Sequence, residues 1–181
     1  PLGRFKIQWG FSHFFPASTI SAHVTRMGKR HLKLAIDVAL SGAFGIDLAL
    51  DKATAEERAQ IADAVKLYKE SIRPLVMQGE LYRLVSPYEH PLASLSYVSA
   101  DKQNAVVYLY QTKDGNVPRV VLGGLDADKR YLVEEVGLPK GAVSRFSASG
   151  RTFTGAELMN TGLSNPLNTQ FESAVILLKI Q

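Results

Sequence analysis

The character of this sequence changes near residues 86–91, and that change constrains the fold more than any other feature. Before it, apolar residues at helical spacing predict a long amphipathic helix over residues 55–78. After it, short β-type runs alternate with turn residues, a pattern typical of an antiparallel sheet or sandwich. We therefore predict an α/β first part, residues 1–86, and an antiparallel β second part, residues 87–181.

The start of the long helix carries the clearest local signal. Thr54 is a good N-cap residue, and Glu57 completes a capping box by reaching back to the backbone N–H of the cap. Pro74 lies inside the helical pattern and predicts a kink or a new short helix. Gly79 is expected to end the helical segment.

The residues before the long helix give weaker patterns. Residues 6–9 are expected to end a helix that Gly10 terminates, and the β-branched content of residues 18–24 predicts a buried strand. Residues 32–40 fit either a strand or a short buried helix, and residues 45–48 are expected to form a compact link. One strand and one long amphipathic helix cannot cover their own apolar faces, so we expect this part to belong to a larger α/β body.

Six runs in the second part have the composition of β-strands. Asp114-Gly115, between the second and third runs, is a strong hairpin signal. Gly123-Gly124 and residues 139–141 mark further turns. The predicted strands are residues 95–99, 105–111, 119–122, 131–136, 142–146 and 173–180.

Composition argues against several classes of protein. The 181 residues carry a formal charge of +4, but the basic residues are scattered among acidic ones, which favours a solvated surface over a nucleic-acid-binding stripe. There are no cysteines, so disulfides and thiolate metal sites are excluded. No apolar run approaches the roughly 20 residues that span a bilayer. The start at Pro1 suggests a fragment or a processed product; a cytoplasmic location is favoured, and export is left open.

The side chains of this sequence form no motif with a recognisable mechanism. Asp37, Asp47 and Asp51 lack the aromatic surroundings of a sugar site, so structural roles are favoured for them. The histidines lack metal-ligand spacing, and neither a serine-hydrolase elbow nor a phosphate-binding glycine loop occurs. Neither a metal nor a cofactor is therefore expected. The four histidines are His13, His23, His31 and His90.

Five stretches, in order, resemble glycoside hydrolase family 36. The segment RFKIQWG, residues 4–10, resembles the family's segment after its acid/base aspartate, and PASTISAHV, residues 16–24, resembles its last barrel strand. GAFGIDL, residues 42–48, is similar to the link before the family's long helix. The remaining two stretches are residues 68–87, with Tyr68-Lys69, GELYRL and Ser86-Pro87, and residues 155–163, GAELMNTGL.

The resemblance implies a fold and an activity. The family combines a (β/α)₈ catalytic barrel with an antiparallel β-domain, so residues 1–86 would be the last strand and helix of the barrel and residues 87–181 an antiparallel β-sandwich domain. The intact enzyme would be a retaining α-galactosidase that removes terminal α-D-galactosyl residues from oligosaccharides such as raffinose or melibiose. Its nucleophile and acid/base aspartates would both precede Arg4, so the resemblance implies no catalytic residue in this chain, which alone should be inactive.

The same resemblance suggests where substrate would lie. Ser21 and His23 follow the pattern of a barrel strand whose carboxyl end faces the active site, so they are candidates for the rim of the substrate pocket. A structural, hydrogen-bonded histidine is the competing interpretation. The expected partners are α-galactoside oligosaccharides, with no nucleic acid and no membrane; homo-oligomerisation is left open.

A stand-alone, noncatalytic β-rich module that binds carbohydrate is the alternative. It would bind sugar through exposed aromatic side chains such as Tyr108, Tyr110 or Tyr131, and it would cover residues 5–15 with its own chain. The alternation of Val106, Tyr108 and Tyr110 more often marks one packed face of a sheet.

Overall fold

The computed structural model describes residues 2–25 and 31–181. The helices are α1 Leu2–Phe11, α2 Leu32–Leu40, α3 Ala55–Leu67, α4 Arg73–Gln78 and α5 Gly155–Asn160. The strands are β1 Ser21–Thr25, β2 Ala43–Asp47, β3 Glu80–Val85, β4 Leu92–Val98, β5 Asn104–Gln111, β6 Arg119–Val120, β7 Arg130–Val136, β8 Arg151–Thr154, β9 Leu163–Ser164 and β10 Ser173–Ile180.

The first part contains a β-α-β unit in which β1 and β2 pair in parallel. Parallel neighbours need a crossover between them, and α2 provides it, which resolves the ambiguity of residues 32–40 in favour of a helix. The expectation of a single strand followed by a compact link at residues 45–48 is wrong, because residues 43–47 form β2. The strand signal there was weak, since Gly45 interrupts a run of only five residues.

Helix α1 continues through Gly10, so the prediction that this glycine terminates the helix is wrong. A glycine inside a helix costs only about 1 kcal/mol. The side chains of Phe5 and Trp9 are buried on the inner face of α1, with ring centroids 5.9 Å apart, and their packing outweighs that cost.

The predicted long helical segment runs from Ala55 to Gln78 in three pieces. Its capping box is present: the Thr54 hydroxyl accepts from Glu57 N, and a Glu57 carboxylate oxygen accepts from Thr54 N at 2.8 Å. A π-helical turn, Tyr68–Ile72, precedes α4, in which Pro74 lies in the first turn. Since proline cannot donate a backbone hydrogen bond, the break falls where the sequence predicted it, and Gly79 ends α4.

The second part is built on a six-stranded antiparallel sheet in the order β3-β4-β5-β10-β7-β8. Strands β4, β5 and β10 are buried on both faces. One face packs against the helices and parallel strands of the first part, and the other packs against α5 and the two-stranded β6–β9 sheet. The sheet is therefore the middle layer of the molecule.

Several local predictions in the second part need correction. Residues 142–146 form no strand, and Asp114-Gly115 does not close a hairpin, because β5 pairs with β4 and β10 while β6 pairs with β9. Strands β3, β8 and β9 and helix α5 were not predicted. The sheet begins at Glu80, so β3 lies within the residues that were assigned to the first part. The domain boundary at residue 86 stays a prediction.

Four tyrosine hydroxyls satisfy the carbonyl groups at the C-terminal end of α2. Tyr110 donates to Asp37 O at 2.9 Å, Tyr108 to Leu40 O at 2.9 Å, Tyr97 to Ser41 O at 3.0 Å and Tyr68 to Gly42 O at 3.0 Å. The last carbonyls of a helix lack partners within it. Three of these four donors project from β4 and β5, so the central sheet itself caps the helix.

A buried charge makes a second link between the two parts. The Asp37 side chain on α2 has no exposed surface, and its Oδ2 accepts hydrogen bonds from Lys33 Nζ at 2.5 Å and from Ser173 Oγ on β10 at 2.7 Å. Lys33 Nζ also donates to the Ser173 carbonyl at 3.1 Å. A carboxylate removed from water needs such partners.

Within residues 2–25 and 31–181, no helix is both long and apolar enough to cross a membrane.

Candidate functional site

The predicted rim residues share one face of β1. Ser21 and His23 are exposed, whereas Ala22 and Val24, which alternate with them, are buried in the core of the first part. This is the period of two that a strand imposes on its side chains. Ser21 Oγ lies 3.1 Å from His23 Nε2, so the structure brings the two predicted residues into hydrogen-bond contact.

The neighbouring strand contributes a residue that sequence reasoning missed. In the parallel register His23 lies opposite Gly45 of β2. A Cβ atom added at Gly45 would come within 2.1 Å of His23 Cδ2 and 2.6 Å of His23 Nε2. The imidazole therefore lies over the bare backbone of β2. A glycine inside a strand is itself a signal of close approach, and it could have pointed to this contact.

Helix α1 braces the end of β1. The Arg4 guanidinium donates to the backbone carbonyl of His23, and its Nη2 lies 3.2 Å from Thr25 Oγ1. Beside this contact is an open cavity of about 450 Å³. Its wall combines the polar Arg4 and Ser21 with apolar side chains, among them Phe11 and Phe15. The predicted rim is thus bordered by apolar surface on the side of α1.

The aromatic residues at the start of the chain divide into two sets. Phe5 and Trp9 are buried in the core of the first part. Ile7, Phe11 and Phe15 are at least half exposed, and Phe14 is 82% exposed. These four residues, called here the α1 patch, form an apolar surface that the described residues leave open to solvent.

The candidate acidic residues of the first part occupy structural or exposed positions. Asp37 is buried and bonded to Lys33 and Ser173, which is a structural role. Asp47 is exposed at the end of β2, and Asp51 is exposed in a short 3₁₀ turn, Leu50–Lys52. Among the described residues, no group of three or more histidine, aspartate or glutamate side chains is arranged to hold a metal ion.

The aromatic residues that a stand-alone sugar-binding module would use are in the core. Tyr108, Tyr110 and Tyr131 are completely buried, which corrects the expectation that they bind sugar from the surface. Their hydroxyls donate to backbone carbonyls instead. Burial raises the pKa of the Tyr108 and Tyr110 hydroxyls well above the usual value of a tyrosine. The alternation around Tyr108 marks a packed face of the sheet.

Comparison with known families matches both parts of the chain. Residues 1–79 match the melibiase family, and residues 92–178 match the family described as glycosyl hydrolase family 36 C-terminal domain. The two matched regions follow one another along the chain and leave only the segment around β3 and the following turn between them. The β-rich second part therefore resembles a C-terminal domain.

Known relatives resemble the chain over nearly its whole length. It is 34% identical over 174 residues to the α-galactosidase AgaA of Geobacillus stearothermophilus, covering 91% of this chain and 22% of that protein. It is 31% identical to a probable α-galactosidase G of Aspergillus terreus, covering 98% of this chain and 24% of that protein. The chain thus spans about a quarter of the length of the relatives it matches.

A solved structure shares the fold. A variant of the Geobacillus stearothermophilus AgaA, solved in complex with raffinose, superposes with a TM-score of 0.85 at 32% identity. The match covers 99% of this chain and 24% of that one. The β-α-β unit and the central sheet therefore have their counterpart within one part of a larger α-galactosidase.

Proposed function

We propose, because this chain belongs to glycoside hydrolase family 36, that it works as the C-terminal part of a retaining α-galactosidase. The intact enzyme would hydrolyse terminal α-D-galactosyl residues of oligosaccharides such as raffinose and melibiose. The observation that carries this proposal is the ordered match of two family regions, residues 1–79 and residues 92–178, to one chain.

The exposed edges of the first part support its role as a portion of a barrel. Among the described residues, β1 and β2 form a sheet of only two strands. Parallel sheets occur almost only where both faces are covered and more strands are present. In the proposed enzyme, strands from the rest of the polypeptide would continue this sheet into a (β/α)₈ barrel, and its outer helices would cover the α1 patch.

The second part would hold the first in place. The tyrosines of β4 and β5 cap α2, and Ser173 of β10 bonds to Asp37. We place the division between the two at residue 86, so that residues 1–86 complete the barrel and end in β3, which pairs with β4 of the β-domain, residues 87–181. These contacts support a bracing role for the β-domain, in which it fixes the helix that leads into β2.

The chemistry would come from carboxylates outside this chain. A retaining glycosidase uses two carboxyl groups about 5–5.5 Å apart, one as nucleophile and one as acid/base. Asp37 is bonded to Lys33 and Ser173, and Asp47 and Asp51 are exposed on different elements, β2 and a 3₁₀ turn. We therefore assign no catalytic residue to this chain, and we place Ser21 and His23 at the rim of the substrate pocket.

A comparison of two polypeptides tests this proposal. The chain alone and the longer polypeptide that carries it are assayed on a chromogenic α-galactoside and on raffinose. We expect turnover with net retention from the longer polypeptide and none from the chain alone. Turnover by the chain alone would show that it contains the catalytic groups, and an inactive but folded longer polypeptide would exclude α-galactosidase activity.

The rim assignment has its own test. In the longer polypeptide, His23→Ala should raise KM for the galactoside, because a side chain at the rim contacts the bound sugar. His90→Ala is the matched control, since His90 is also exposed but follows β3 in the second part. Equal KM values for the two variants would remove His23 from the pocket.

A further inference from the structure

The His23 imidazole is held from two sides. Ser21 Oγ contacts Nε2 at 3.1 Å, and the backbone of Gly45 lies directly beneath the ring, where a Cβ atom would fall 2.1 Å from Cδ2. The only side-chain hydrogen bond that the ring makes to residues 2–25 or 31–181 is the one with Ser21. Among these described residues Nδ1 has no hydrogen-bond partner, and the ring lies on the exposed face of β1.

Backbone conformation does not explain the glycine at this position. The glycines with a left-handed φ are Gly115, Gly124, Gly137, Gly141, Gly150 and Gly162, and Gly45 is not among them. An ordinary strand residue could adopt the backbone of β2 at residue 45. A Cβ atom at residue 45 would lie closer than 3.0 Å to the ring of His23, so a larger residue would push this exposed side chain off β2. Gly45 and His23 are thus matched to each other.

We propose that Gly45 is a positioning residue for substrate recognition, acting through His23. With Nε2 engaged by Ser21 and the ring seated on β2, His23 presents Nδ1 at a fixed place to a hydroxyl group of the galactosyl ring. This inference rests on the proposed function. An imidazole that is already held in place loses little conformational entropy when a ligand binds, and this preorganisation favours binding.

The first experiment uses the chain itself and needs no enzymatic activity. Gly45→Ala should lower the Tm by about 2–4 °C, because the methyl group displaces the ring of His23 from Ser21 and from β2. In the double variant, where His23→Ala is combined with Gly45→Ala, there is no ring to displace, and the Tm should lie within about 1 °C of that of His23→Ala alone. Gly3→Ala is the matched control, since a Cβ atom there meets nothing within 4 Å.

A spectroscopic readout separates positioning from stability alone. The ¹⁵N chemical shifts of the His23 ring report which nitrogen carries the proton. Both Gly45→Ala and Ser21→Ala should change the balance of the two tautomers at His23, because each removes one of the two constraints on the ring. The shifts of His90, which lies far along the chain, should not move in either variant.

The second experiment uses the longer polypeptide. There, Gly45→Ala should raise KM for a chromogenic α-galactoside about tenfold while kcat changes by less than about threefold. The double variant with His23→Ala should have the same KM as His23→Ala alone, because the glycine acts only through the ring.

The outcomes distinguish the two proposals. If the longer polypeptide has no α-galactosidase activity, the proposed function fails, and the Tm and ¹⁵N data on the chain still decide whether Gly45 seats His23. If the enzyme is active, a Gly45→Ala variant with an unchanged KM overturns the positioning role. So does a double variant whose Tm and KM changes are the sum of those of the single variants.

Discussion

The hydroxyl group of Tyr108 donates a hydrogen bond of 2.9 Å to the backbone carbonyl oxygen of Leu40, which lies 68 residues earlier in the chain. Leu40 is the last residue of α2, and its carbonyl has no partner within the helix. Both residues are completely buried. The hydrogen bond therefore joins the central strand of the sheet to the helix that leads into β2, in a place that water does not reach.

Tyr108→Phe should lower the free energy of unfolding by about 1–3 kcal/mol, because it leaves the buried carbonyl of Leu40 without a donor. Urea unfolding followed by circular dichroism measures the change. Tyr88→Phe is the matched control: Tyr88 is 67% exposed, and its hydroxyl lies 3.4 Å from Lys6 O. Its effect should stay within about 0.5 kcal/mol. Equal losses in the two variants would contradict the importance of the buried cap.

The buried tyrosines also predict how stability responds to alkali. Burial raises the pKa of Tyr97, Tyr108 and Tyr110 above the value of about 10 that a tyrosine has in the unfolded chain. Their contribution to stability is fully present below about pH 10, and it is lost as the pH rises toward the folded-state pKa, because the unfolded chain releases its protons first.

Unfolding free energies measured between pH 8 and 12 should therefore fall steeply above about pH 10. Tyrosinate absorbance should rise together with the loss of near-ultraviolet circular dichroism, since these hydroxyls ionise only as the core opens. Ionisation of all seven tyrosines in a chain that keeps its folded signal would contradict this prediction.

The Lys33–Asp37 pair should show strong coupling between its members. Lys33→Met leaves a buried carboxylate with Ser173 alone, and because Lys33 itself is partly exposed we expect a loss of about 2–3 kcal/mol, below the range for fully buried pairs. Asp37→Leu combined with Lys33→Met removes both charges and should cost less than the sum of the single variants. Additive losses, measured by urea unfolding, would mean that the pair is not coupled.

The α1 patch should make the isolated chain self-associate. Phe14→Ser should reduce binding of a hydrophobic dye and lower the apparent mass in sedimentation, without a fall in Tm, because the side chain is 82% exposed and supports no core. Val143→Ser is the matched control, since Val143 is 85% exposed but lies in the second part. Equal effects from the two variants would show that the α1 patch has no special role.

The elements that could be predicted from the sequence depend on neighbouring residues. The capping box of Thr54 and Glu57 and the break at Pro74 are local features, and the structure has both. Ser21 and His23 could be placed on one face because a strand alternates its side chains. Strand β2 was not predicted, because one of its five residues is Gly45. The ring that lies against this glycine belongs to His23, on the neighbouring strand β1.

The elements that could not be predicted depend on partners far apart in the sequence. The tyrosines of β4 and β5 cap carbonyls 56 to 73 residues away, and no local pattern identifies which helix end they reach. A structural role was expected for Asp37, but its partner Ser173 lies 136 residues later and could not be identified from the sequence. The hairpin expected at Asp114-Gly115 failed for the same reason, since β10 takes the place beside β5 that β6 was expected to fill.

Because the central sheet has a packed layer on each face, the β-rich region cannot be transplanted onto another protein as a self-sufficient unit. A graft that began after β3 would expose the tyrosine face of β4 and β5 to water and remove the backbone carbonyls to which three of its hydroxyl groups donate. Recombination among related enzymes would succeed only where the donor also supplied α2, so these two regions are expected to be inherited together.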